Sequence, residues 1–452
     1  MSPKTVLVTA DDHGALCLSK RLACFRKWLI DEAKCVVHSS ISIVNGEATD
    51  GTKNAPVLVY GRAKESVSNP ASSTALSSST GVSSNSNVSS SSGTRCGIID
   101  SEEEQILWDK TVGCQVRTVR EVKKDDVLLE IPRSSMISPD IVASSDAGMA
   151  IFQCCEPGVE SSSADPWESL CGLTEAVEFH KAKLRIQSGT QLLVNILRER
   201  KRAEDALVKA FREDASQLTE FQKAPRGSVS SRAPFIAFLL QQRFGLGDNV
   251  EHYPLVQSES NMKKFQLRIL SATSPKTFAP YVIAFPSAFS LPICWKRYEL
   301  ALLSGCQGGF NLLVEVAAHT LVLSNDLIQL IKAGLLHRFS SVFPKGSISW
   351  DSWVWASAAW TSRAFPVNWY FKDGESIHDI MRANSYQITA AAEKVWEDLG
   401  VMIPLVDMMN HESDSGQIMW ESGTNSKTSG GEKDEINNAT CLLISQKRIK
   451  KG

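Results

Sequence analysis

The sequence lacks a charge bias: 48 Lys and Arg stand against 50 Asp and Glu in 452 residues, a formal net charge of −2. Such a balance supplies no sequence-wide attraction to duplex nucleic acid, so no nucleic-acid partner is expected. Among 11 cysteines there is no C-x-x-C pair and no Cys/His cluster. A structural zinc site is therefore not expected, and no metal ligands are assigned. The odd cysteine number does not suit a secreted disulfide framework, and the thiols read as reduced. No stretch approaches eighteen uninterrupted apolar residues, so no membrane span is expected. The apolar run Val6–Ala10 is short and leads straight into Asp11 and Asp12, which fits neither a signal peptide nor a transit peptide. The expected location is cytoplasmic or nuclear.

Several chemical signatures are missing as well. There is no G-x-x-x-x-G-K-[ST] loop, no G-x-S-x-G elbow and no H-E-x-x-H pair, which removes the common phosphate-loop, serine-hydrolase and zinc-protease readings. Gly245-Leu246-Gly247 has no third glycine in register and reads as a helix cap and turn. No repeat of fixed period runs along the chain.

What is present is enough to build a core: 43% of residues are hydrophobic, and the length allows two or three domains or one domain with insertions. Phe25, Trp28 and Leu29 recur at helical spacing within Leu22–Ala33. Ser66–Ser92 is dominated by Ser with Asn, Thr and Gly, and is expected to be a solvated linker. Gly113–Ile131 alternates apolar and polar residues about a Lys124-Asp125-Asp126 turn, which predicts a hairpin closed by Pro132. Glu156–Glu168 predicts a loop. Helices are predicted over Thr174–Ser216, Phe235–Phe244, Trp295–Ser304, Leu312–Phe339 and Trp353–Phe365, and a strand over Thr440–Ser445. The charged end of the first of these reads as a solvated helix face. Strands flanking a helical block predict an α+β fold with a helical module inserted into a β-rich domain. The expected parts are 1–65, an N-terminal arm with a short helix; 66–95, the Ser-rich linker; 96–169 and 346–452, the two β-rich parts; and 170–345, the helical module.

The most specific stretch is IPLVDMMNH, Ile403–His411, in which an apolar run leads into Asp407 and the pair Asn410-His411. It stands in order with GCQVRTVREVKKDDVLLEIPRSSMIS (Gly113–Ser138), YVIAFPSAFSLPICWKRYELALLSGCQ (Tyr281–Gln307), WASAAWTSRAF (Trp355–Phe365) and CLLISQKRIKKG (Cys441–Gly452). Together these resemble SET-domain protein methyltransferases of the branch that includes the Rubisco large-subunit methyltransferase and the actin-histidine methyltransferase. The likeness covers roughly Gly113–Gly452, and Leu22–Ala33 is similar to that family's first helix.

The resemblance implies a β-rich SET domain split by an inserted helical module, with S-adenosylmethionine as cofactor. By position, Arg117 and Arg363 would contact the cofactor carboxylate, which a guanidinium fork matches with two parallel donors. Asn410 would hold the amino-acid end, His411 would bind adenine through its backbone, and Asp407 would pin the loop. The implied reaction is methyl transfer to a lysine of a protein substrate, or alternatively to a histidine, by a monomer. A sulfonium methyl is already activated, so alignment and a dry channel matter more than a strong acid. The pattern departs from the family in three ways. Gln115 replaces the second glycine of the G-x-G turn. Arg212–Arg232 and Leu255–Thr277 exceed the family pattern and are expected as surface insertions. The closing segment with the family's tyrosine, and the helical substrate domain after it, would lie beyond Gly452, so no catalytic residue is assigned. These departures keep open a second reading, a non-catalytic SET-like interaction protein.

Overall fold

A computed structural model of the chain describes residues 18–37, 41–45, 59–60, 114–118, 121–157, 165–212, 221–244, 277–306, 308–370, 389–411, 418–424 and 439–449. Helix α1 (Leu18–Asp31) forms where the helical spacing predicts it. Phe25, Trp28 and Leu29 are buried, while Arg26 and Lys27 face outward. Trp28 satisfies its indole N–H on the Thr277 carbonyl, 2.6 Å away, which ties α1 to the helical block.

Five strands follow: β1 (Val36–Val37), β2 (Ile41–Asn45), β3 (Val59–Tyr60), β4 (Cys114–Thr118) and β5 (Val127–Pro132). The predicted hairpin does not form. β4 pairs antiparallel with β2, Val116 opposite Ile43, whereas Leu129 of β5 stands opposite Val37 of β1 on one side and Leu443 on the other. The turn at Lys124–Asp125 is present, with Asp125 at φ 66°, but it docks on the C-terminal strand. Asp125 N–H donates to the Ser445 carbonyl at 2.7 Å, and Ser445 N–H donates to Asp126 at 3.0 Å. Two-residue alternation decides which face a strand buries, not which strand it joins.

Short helices α2 (Pro139–Ser144) and α3 (Asp146–Cys154) lead into α4 (Leu173–Leu184), α5 (Gly189–Arg212), α6 (Ala233–Phe244), α7 (Ala279–Val282), α8 (Arg297–Gly305), α9 (Gly309–Lys332) and α10 (Leu335–Arg338). The helix predicted over Thr174–Ser216 is thus two. Ser188 caps the second, accepting from Gln191 N–H at 3.2 Å, and Gly189 lies so near α8 that an added Cβ would sit 3.3 Å from Cβ of Ser304. The stretch predicted over Leu312–Phe339 also breaks, at Gly334 with φ 84°. On α5 the buried residues are Leu192, Ile196, Ala203, Leu207 and Ala210, and most of the charged run faces outward. Arg200 is an exception: it donates to the carbonyls of Ile293 and Trp295, each at 2.9 Å. Among the described residues α9 is the helix long and apolar enough to cross a bilayer, and 72% of its apolar window is buried inside the protein. It is the core helix of the block.

The expected surface insertion Arg212–Arg232 is overturned over its last residues. Val229, Ser230, Ser231 and Arg232 are buried, with Ser230 bridged to Cys171 and Ala224 to Cys155. Backbone groups taken into the interior must be paired, and Asp326 of α9 accepts from Ser230 N–H at 2.8 Å.

Helix α11 (Trp350–Arg363) starts at a reciprocal Ser349/Ser352 cap and runs into β6 (Ala364–Phe365). Then come α12 (Ala390–Leu399), β7 (Val401–Met402), β8 (Asn410–His411), β9 (Ile418–Thr424) and β10 (Ala439–Ser445). The strands form a four-stranded sheet in the order β1-β5-β10-β9 and three two-stranded pairs, β2-β4, β3-β8 and β6-β7. The fold is mixed helix and sheet, with the helical block between β5 and β6 in sequence. The Ser66–Ser92 linker, the Gly245–Gly247 turn and nearly all of Leu255–Thr277 lie outside the described residues. So do residues 158–164 of the predicted loop, whose end is instead a short 3-10 turn, Pro166–Ser169, capped by Asp165.

Candidate functional site

Arg363 is the last residue of α11, where the carbonyl-rich helix end favours a cation. Its Nη1 donates to the Asp407 carbonyl at 3.1 Å and to Asp407 Oδ2 at 2.8 Å. The arginine side chain is 10% exposed and that of the aspartate 0%. The guanidinium carbon lies 4.7 Å from the ring centre of Phe285 and 5.8 Å from that of Phe289, so aromatic faces contribute to holding the charge. This is not a two-pronged grip: a single nitrogen serves both Asp407 oxygens, and Nε is buried without a partner.

Tyr281 of α7 faces the same carboxylate from the opposite element. It is fully buried, and burial pushes its phenol well above the usual range, with the Asp407 charge adding to the effect. Tyr281 and Asp407 influence each other's titration, while Tyr281 Oη and Asp407 Oδ1 each lack a hydrogen bond of ordinary geometry. Burial also raises Asp407, opposed by the Arg363 charge and hydrogen bond. A carboxylate out of water with one oxygen unpaired is costly, and such groups call for an explanation.

The chain around Asp407 is tightly wound. Asp407 sits in the 3-10 turn Val406–Met408, preceded by Leu405 at φ 70°, ψ −41°. A non-glycine residue there stores conformational energy, and such strain concentrates at functional segments. Two residues on, β8 pairs parallel with β3: Asn410 opposite Val59 and His411 opposite Tyr60. β4 lies against the 406–408 turn and brings the strand position of Arg117, opposite Ser42. The elements bearing Arg117, Arg363, Asp407, Asn410 and His411 therefore meet. Of these five, Arg363 and Asp407 are in direct side-chain contact.

Two features brace this corner. Gly400, at φ 65°, approaches β6 so closely that an added Cβ would fall 2.1 Å from the Phe365 carbonyl oxygen. Phe365, Trp369 and Trp420 then stack at 4.7 Å per step, from β6 to β9. Sequence reasoning missed Tyr281, Phe285, Phe289 and the strain at Leu405. The signal for the first three was available, since all lie within YVIAFPSAF and Tyr281, Phe285 and Phe289 recur every four residues.

Other chemistries find less support. Among the described residues no group of three or more His, Cys, Asp or Glu could hold a metal ion. Burial pushes the thiols of Cys35, Cys154, Cys155, Cys171, Cys294 and Cys441 up to about 12, so none is poised as a nucleophile. A second sealed carboxylate, Asp326, is fully engaged: Ser230 donates to it through both N–H and Oγ–H. Arg232 is buried beside it and donates to Ser357 Oγ of α11 at 3.2 Å.

No protein-family model, no curated protein and no solved structure matches the chain.

Proposed function

We propose that the chain is a SET-type protein N-methyltransferase scaffold that binds S-adenosylmethionine and directs its methyl group to a lysine of a protein substrate, with histidine as the alternative target. The observation that carries this reading is the Arg363–Asp407 contact, which joins WASAAWTSRAF to IPLVDMMNH across 44 residues and sets Arg363 beside the segment that leads to Asn410-His411. These are two of the stretches on which the family resemblance stands. The donor set suits the ligand: Arg363 keeps an unpaired buried Nε while its side chain stays 10% exposed, and a ligand carboxylate would give that edge its acceptor. Arg117 would add a second cation, Asn410 would offer an amide that both donates and accepts, and β8 would present backbone groups to an adenine. The cofactor would supply an activated methyl; the chain's own task is to bind, orient and exclude water.

A second reading, a non-catalytic interaction protein, draws on Gln115. It occupies a regular strand position opposite Val44, where the family has its glycine turn. Calorimetric titration with S-adenosylmethionine separates the two. The enzyme reading expects binding by the wild type that is lost in Asn410→Ala. A folded wild-type chain that does not bind sinks it.

A further inference from the structure

One end of the helical block turns apolar side chains outward. Helices α5 and α8 run antiparallel against each other: Gly189 sits beside Ser304, and Arg200 donates to the carbonyls of Ile293 and Trp295, just before α8 begins. The turn before α5 carries Ile186, 90% exposed. Tyr298 and Leu302, one helical turn apart on α8, are 62% and 69% exposed. The inner side of α8 is already satisfied, with Leu300 buried and Leu303 packed on the core, so the outward residues are not what holds this helix in place. Apolar residues scattered singly over a surface mean little; these share one end of two packed helices.

The free charges beside them have one sign. Lys183 and Arg185 precede Ile186, Lys296 and Arg297 lead into Tyr298, and these cations are exposed. The nearby carboxylates are engaged elsewhere. Glu299 turns back to accept the Lys296 N–H at 2.6 Å, Glu178 pairs with Lys181 at 2.7 Å, and Glu199 pairs with Arg202 at 3.3 Å. A side chain as exposed as Ile186 protrudes and does not line a groove. A stable protein interface needs on the order of 800 Å² from each partner, whereas a bilayer takes up individual apolar side chains and attracts each cation near its surface.

We propose that this face, Ile186 with Tyr298 and Leu302 bordered by Lys183, Arg185, Lys296 and Arg297, is a docking surface for an anionic phospholipid bilayer. The apolar side chains enter the boundary between headgroups and acyl chains, and the cations engage the anionic headgroups, so the protein lies on the membrane without crossing it. This concerns the helical block and does not rest on the methyltransferase reading.

The experiment is co-sedimentation of the full chain with vesicles of phosphatidylcholine mixed with phosphatidylserine, and with vesicles of phosphatidylcholine alone. The wild type should sediment with the mixed vesicles, be released as salt screens the charges, and stay free of the neutral ones. Ile186→Ser combined with Leu302→Ser should lower partitioning by roughly tenfold or more, the loss expected when aliphatic side chains no longer leave water. Lys183→Gln combined with Arg185→Gln should lower it about fivefold for each cation. The substituted positions are exposed, so urea unfolding of both variants should match the wild type, which separates lost docking from lost fold. A wild-type chain that stays in the supernatant overturns the inference and leaves this face to an acidic protein partner. Equal binding to neutral vesicles, or binding that the Ile186 and Leu302 substitutions leave intact, also overturns it.

Discussion

Among the buried aspartates of the described residues, Asp326 and Asp407 are treated differently. Asp326, in the core helix of the helical block, is 1% exposed and accepts from both the main chain and the hydroxyl of Ser230. Asp407, at the turn before β8, has a side chain that is 0% exposed, shares one nitrogen of Arg363 between two of its oxygens and leaves Oδ1 unpaired. The backbone at Asp326 is ordinary helix, whereas Asp407 follows a residue at positive φ. Sealing a carboxylate is tolerated when its acceptors are filled, and a filled set has nothing left to offer a ligand. Asp326 therefore reads as a pin for the 229–232 segment. Asp407 keeps one carboxylate oxygen without a hydrogen bond of ordinary geometry.

The sharpest way to break this contrast is to remove the cation from the open site. Arg363→Ala strands Asp407 as a buried charge and should cost about 3–5 kcal/mol in urea unfolding. Combining it with Asp407→Asn should recover much of that loss. A cost under ~1 kcal/mol for the single variant would mean that Asp407 is not held as an ion in the folded protein.

Next in size is a pH effect at the closed site. Burial raises Asp326 from an ordinary 3.8 to about 7. A carboxyl raised by folding stabilises fully below its unfolded pKa, and that contribution is lost as pH rises toward 7. His319 on the same helix runs the other way: burial, then Arg232 and Lys181, push it from 6.5 down to about 3. Its contribution is present above pH 6.5 and is lost as pH falls toward 3. In the wild type the two oppose each other between about pH 4 and pH 6.5. Asp326→Asn removes one side, so unfolding measured across that window should show the variant losing stability more steeply in acid than the wild type. Asp140, also raised to about 7 by burial and by Asp165, stays in both proteins and drops out of the difference. Parallel pH profiles would place Asp326 outside the titrating set.

The smallest effect expected is Ser230→Ala, about 1–2 kcal/mol, because the main-chain N–H still donates to Asp326 when the hydroxyl is gone. A loss as large as that of Arg363→Ala would make the closed site as sensitive as the open one and erase the distinction between them.

Much of the secondary structure was legible in local pattern. The spacing of Phe25, Trp28 and Leu29 is that of an amphipathic helix, and α6, α8 and α11 begin within a few residues of their predicted starts. Breaks were harder to see: Ser188-Gly189 ends one helix and begins another because α8 crosses there, a fact about a neighbour 115 residues away rather than about helix propensity. The same limit applies to the hairpin that became two sheets, and to residues 229–232, polar enough to look like surface until Asp326 takes them inside.

The chain by itself determined where apolar stripes and alternations lie, and with them the mixed helix-and-sheet character and the first helix; the candidate standing of Arg363, Asp407 and Asn410-His411 came from the family resemblance. The stripes and alternations depend on periodicity and residue chemistry over a few neighbouring positions, and such information is local. Tertiary structure alone decided that β5 lies between β1 and β10, that Arg363 spends one nitrogen on Asp407, and that Tyr281 of the helical block comes within electrostatic reach of Asp407. Those outcomes turn on which buried polar group finds a partner, and the partners are brought together only when segments distant in sequence compete for the same interior.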